Sequence, residues 1–249
     1  MRTYRTLIVT FARSTLREPV GLFFSLIFAP MLVLILGRVF GNDPNPDFGG
    51  QGYIGATLPA FASLVMAIMG VMIVPVAQLQ LRESGALTRL RATPLQPRTF
   101  VAADLTVNFL IGMAGIILAL LVGIIGFGVR PEGNILLVLA AAALGLIAFL
   151  ALGYTLAAIY PSASAATGIG NGLMILLMIT SGAFVPLAVL PEGVQRVMDF
   201  SPIRHLVDLM DGLWKGESWS DYMLATGVLV GMIVVFGALG ARLFKWKTV

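Results

Sequence analysis

The sequence predicts an all-α integral membrane protein with six transmembrane helices. Of its 249 residues, 58% are hydrophobic and only 11% are charged, whereas a soluble domain is about a quarter charged. Six apolar stretches are each long enough to cross the hydrocarbon core, which takes roughly 20 helical residues. Lysine and arginine gather in alternate loops, the pattern that orients membrane helices. A chain of this length is therefore read as one domain, 1–249, of helices sharing a bilayer.

Residues 1–18 come first. At 100° per residue, Arg2, Arg5, Arg13 and Arg17 fall on one face, and Tyr4, Leu7, Ile8 and Phe11 on the other; Val9 and Leu16 depart from the pattern. This predicts an amphipathic helix in the membrane interface, its arginines toward anionic headgroups. The plainer alternative is a tail whose arginines only orient the chain. The arginines are spread out, and no small-residue cleavage site follows, so the first span is expected to be retained.

Residues 20–77 hold the first two spans, at about 20–39 and 54–77. Residues 78–98 form a polar connection. Residues 100–185 hold the next three, at about 100–129, 135–160 and 167–185. The fifth is punctuated by Gly168, Gly170, Gly172 and Gly182, which permit close helix contacts or a break. Residues 223–243 are the sixth.

Between the last two spans, residues 186–220 carry apolar side chains at helical spacing. Pro191 and Pro202 stand where two short helices would begin. These are expected on the outer face, dipping toward the bilayer or capping the bundle.

With the N-terminus inside, the inner segments hold Arg2, Arg5, Arg13, Arg17, Arg82, Arg89, Arg91, Arg98, Arg242, Lys245 and Lys247. They are opposed only by Glu18, Glu83 and Asp104. The outer segments hold the other five cations and nine acids. The expectation is a multi-pass protein of the cell membrane with both termini cytoplasmic.

Composition narrows the chemistry. There is no cysteine and one histidine, His205, so thiolate and multi-histidine metal sites are excluded. Asp104 and Arg38 lie near span ends, where each can reach an interface. Ser63, Asn108, Thr155, Asn171, Thr180 and Ser181 are neutral and are expected to bond between helices. No nucleophile, base and acid stand together, so the chain is not expected to be an enzyme. No mid-membrane carboxylate offers a route for an ion gradient. No G-x-x-x-x-G-K-[ST] loop is present to hydrolyse ATP, and no cofactor is expected in this chain. Any energy for transport must come from a partner. Lipid is the other expected partner; nucleic acid is not.

The stretch LRESGALTRLRATPL, residues 81–95, is a charged island between apolar runs. Leu87 and Leu90 form a small ridge beside Arg82, Arg89 and Arg91, and Thr93-Pro94 ends it. Such a ridge can dock in a groove of a soluble partner. It can equally be a basic loop that satisfies the orientation rule. The residues alone leave both readings open.

This stretch resembles the E-x-G-T-L-x-x-L-x-x-T-P signature of type-2 exporter permeases of the ATP-binding-cassette (ABC) superfamily. Glu83, Gly85, Leu87, Leu90, Thr93 and Pro94 fall on its positions, and Ala86 replaces the usual threonine. Ser181, Gly182, Pro186, Leu190, Pro191 and Pro202 match the same family's landmarks after the fifth span. Asp211 stands where an arginine is often found.

The resemblance implies a permease subunit, paired with a second copy or a related permease, above two ATPase subunits that hold ATP and Mg. It implies that Arg82, Glu83, Gly85, Leu87, Leu90, Thr93 and Pro94 form the segment that couples to the ATPase. The helix bearing Arg2 to Arg17 would connect at the interface. The region of Pro186, Pro191 and Pro202 would be an outer re-entrant gate. Family members export drugs, antibiotics, lipids or lipid-linked glycans. Spans rich in Phe, Met, Leu and Gly suit a hydrophobic or amphipathic cargo. The rival is a non-transporting scaffold or sensor subunit of a larger complex.

Overall fold

The computed structural model describes residues 2–44, 50–91, 96–182, 193 and 198–243. Among them the secondary structure is helical, and six helices are long and apolar enough to cross a membrane. In chain order the helices are α1 (Arg2–Thr15), α2 (Pro19–Phe40), α3 (Tyr53–Glu83), α4 (Ala86–Arg91), α5 (Arg98–Gly126), α6 (Ile135–Ile159), α7 (Ala163–Thr180), α8 (Pro202–Trp214) and α9 (Trp219–Leu243). Helix starts follow local chemistry. Pro19 and Pro202 occupy first-turn positions, where the missing N–H costs nothing. Asn134 caps α6 by accepting Leu136 N–H at 2.9 Å, and Ser162 caps α7 by accepting Ala165 N–H at 3.1 Å.

The second span and the helical start of the 78–98 segment form one continuous helix that runs on to Glu83. The fifth begins at Ala163, a turn before the expected 167. α3 is the axis of the bundle. It packs against α2, α5, α6, α7 and α8, and Phe61, Leu64, Met66 and Ile68 are fully buried. Its hydroxyls satisfy themselves locally: Thr57 donates to Tyr53 O at 2.7 Å and Ser63 to Pro59 O at 2.8 Å.

Five-residue π turns at 23–27, 69–73 and 122–126 interrupt α2, α3 and α5. Two of them coincide with the closest helix crossings. A methyl on Gly115 would lie 1.9 Å from the carbonyl oxygen of Ser25, and one on Gly153 would lie 2.6 Å from that of Gly70. The π turn loosens the carbonyl ladder, and glycine opposite lets the backbones meet.

α1 is two-faced, and Arg17 lies just past its end. Tyr4, Leu7, Ile8 and Phe11 are half-buried, and Arg5, Arg13 and Arg17 are exposed. The apolar face lies on α5: Tyr4 Oη sits 2.8 Å from Thr106 Oγ1, and Phe11 stacks edge-on against Phe100 at 5.2 Å. At the other end, α8 buries Ile203, Leu206, Leu209, Met210 and Leu213 against α3, α6 and α9. Ser63 Oγ reaches Met210 Sδ at 3.5 Å. Ser63 stands ten residues into α3, so α8 penetrates about 15 Å down that helix at 1.5 Å per residue. Pro202 starts this helix as expected; Pro186, Pro191 and any helix beginning there lie outside the described residues.

Candidate functional site

Where α3 ends, Arg82 and Glu83 of the charged stretch bond back to their own chain. Arg82 Nη2 donates to the carbonyl of Ala157 at 3.1 Å, in the last turn of α6. Its neighbour Glu83 accepts the N–H of Ala163 on Oε1 at 2.7 Å, at the first residue of α7. A cation thus meets a helix C-terminus and an anion a helix N-terminus, the favourable pairing with both helix dipoles. Leu79, Tyr160, Ala163 and Ala166 form a buried apolar seam beside these bonds.

Gly85 then reverses the chain. Its φ of +70° is left-handed, and no atom lies within 4 Å of where a Cβ would stand. This is the glycine stop of a helix. α4 follows, and Arg89 donates to Ser84 O at 3.4 Å.

The apolar ridge expected of Leu87 and Leu90 needs correction at its first member. Leu87 is 2% exposed and holds α4 to the chain itself. The Leu90 side chain, Thr93 and Pro94 lie outside what the structure describes, as does the Arg2 side chain. What α4 and its approach present outward is polar: Glu83, Ser84 and Arg89 are exposed.

Asp104 also departs from expectation. It does not reach an interface; it is 9% exposed. Its Oδ2 accepts the Gln78 amide at 2.7 Å, the Asn108 amide at 3.2 Å and the hydroxyl of Tyr154. This ties α3, α5 and α6 together one turn above Arg82. Sequence reading missed it because Gln78 and Tyr154 carry no pattern of their own. The signal available was a carboxylate inside a span, which is normally functional or paired.

The neutral polar residues divide. Thr155 donates to Phe236 O at 2.7 Å and so links α6 to α9, while Thr180 lies 2.8 Å from Ser201. Ser63 and Ser181 bond mainly within their own helices.

Asn171 lines a cavity of about 250 Å³ between α2, α3 and α7. The other walls are Phe24 and Phe28 of α2, Ile68 and Met72 of α3, and Met174, Ile175 and Met178 of α7. Among the described residues, no charged group lines it. Flexible methionines and aromatic rings suit varied apolar ligands. Among the described residues, no cluster of metal-ligating side chains is present.

The ABC-2 type transporter family model matches residues 2–213. No curated protein matches the chain. A match of this extent means that the chain belongs to the ABC-2 type transporter family, as a multi-pass membrane permease.

Proposed function

We propose that this ABC-2 permease is the membrane-spanning subunit of an exporter, moving a hydrophobic or amphipathic compound out of the cell. Two copies of a separate ATPase supply the energy from ATP and Mg, and the permease pairs with a second copy or a related chain. The cavity between α2, α3 and α7 carries this reading. It lies within the spans, and among the described residues its walls are apolar apart from Asn171, which favours a greasy cargo over an ion.

The exposed end of the 82–91 segment is the ATPase dock. The arginines of α1 hold the cytoplasmic lipid surface. α8, introduced by Pro202 and approached through Pro186 and Pro191, is the outer re-entrant gate. Both termini are cytoplasmic in this reading.

The test is ATP-dependent movement of a hydrophobic fluorescent dye in liposomes holding the permease with its co-purified ATPase. Met174→Asp places a charge in the cavity and is expected to abolish dye movement while the ATPase stays bound. Unchanged dye movement in that variant removes the cavity from the pathway. No dye movement in the wild-type complex leaves the scaffold or sensor role instead.

A further inference from the structure

The family signature places Glu83 where contact with an ATPase is expected, yet its carboxylate is engaged by its own chain. We propose that Glu83 is a positioning residue that passes displacement of the 84–91 segment to α7, by holding the first N–H of that helix. This rests on the reading of the segment as the ATPase dock.

Three observations converge on it. Arg82 and Glu83 are consecutive, and they grip the two sides of one turn, the Ala157 carbonyl of α6 and the Ala163 amide of α7. Both bonds lie at the foot of α3, immediately before the helix stops at Gly85. A push on α4 therefore meets the α6–α7 turn before it can dissipate in a flexible linker. The buried Leu87 keeps α4 from sliding free of that foot.

α7 is also the more loosely packed of the two helices gripped here, since α6 is 44% buried within its span. It is only 22% buried within its span, against 78% for α3. A loosely packed helix held near its ends, at Ala163 and through Thr180 to Ser201, shifts along its middle; a helix packed on every side does not. A second hold on α3 lies at Gly170, where a methyl would come 2.8 Å from Val71 O. Beyond that crossing, Met174 and Met178 form one wall of the cavity. Motion entering at Ala163 thus pivots near Gly170 and reopens or closes the cavity wall.

The absence of native cysteine makes the test direct. Spin labels are placed at Gln80→Cys, exposed at the foot of α3 and outside the dock, and Gly168→Cys, where nothing lies within 4 Å of a new Cβ. Distances are measured in the full chain in lipid nanodiscs, alone and with its co-purified ATPase and ATP. The wild-type background should give one narrow distance that shifts as a unit when ATP is added. Glu83→Ala should broaden it and uncouple the shift. Glu83→Gln, which keeps an accepting oxygen, should restore it.

In the complex, Glu83→Ala should lower dye-stimulated ATP hydrolysis about fivefold, the population factor of one lost helix cap. Unchanged label distances in Glu83→Ala overturn the proposal, as does loss of the ATPase with the distances unchanged. Failure of the wild-type chain to retain any ATPase sinks the exporter reading instead, while the label distances in the chain alone still decide whether Glu83 holds α7 to the foot of α3.

Discussion

The side-chain amide of Gln78 on α3 donates to the Asp104 carboxylate of α5 at 2.7 Å, in the buried foot of the bundle. The same oxygen takes the Tyr154 hydroxyl from α6. One carboxylate therefore closes three helices around the residues that lead into the 82–91 segment.

Removing that acceptor strands two donors away from water. Asp104→Ala is expected to destabilise the chain by about 2–4 kcal/mol. Asp104→Asn keeps one accepting oxygen and should cost about 1 kcal/mol. Thermal unfolding in detergent orders the two variants. Equal midpoints for both would mean that the hub bears no weight.

The backbone crossing at Gly153 is tested by a single methyl. Gly153→Ala sets that methyl 2.6 Å from the Gly70 carbonyl, a backbone atom with little room to move. Overpacking of this kind costs about 1–3 kcal/mol, read as a lower unfolding temperature. Gly227→Ala is the control, since nothing lies within 4 Å of its Cβ position. It should be neutral or slightly stabilising, because alanine favours the helix.

Asp211, where the family often has arginine, gives a pH signature. Burial raises its carboxyl above the ordinary 3.8, the Lys215 ammonium at 2.6 Å opposes that, and Asp208 and Glu217 add to it. A raised acid binds its proton more tightly folded than unfolded. Its contribution is fully present below 3.8 and is lost as pH rises through the folded value. Asp211→Asn should therefore gain stability over the parent at neutral pH, and the gain should vanish on acidification below 3.8. The ion pair it gives up is half-exposed and worth little. A pH series of unfolding midpoints checks the sign; a gain that persists in acid contradicts it.

Orientation is testable on the same cysteine-free background. Asp43→Cys and Ser84→Cys are exposed at opposite ends of the bundle. An impermeant maleimide added to intact cells should label position 43 and leave position 84 until the membrane is broken. The reverse pattern would invert the topology.

Six spans, an arginine-faced first helix and a helix at Pro202 were all legible in sequence. Each rests on periodicity and on the cost of placing backbone and charge in hydrocarbon, which act locally along the chain. Gly85 marked the turn, because a left-handed φ is a property of one residue.

Direction was not legible. Whether Leu87 faces a partner or its own chain depends on how α4 folds back, and a lone i, i+3 pair does not encode that. Gln78, Tyr154 and the amide of Ala163 became partners of Asp104 and Glu83 only when helices 26 to 80 residues apart packed together. Sequence alone determined that this chain spans the membrane and where its charged island falls. The tertiary structure alone decided that the island's arginine and glutamate bond back to their own chain, because their partners are a carbonyl and an amide that every residue carries.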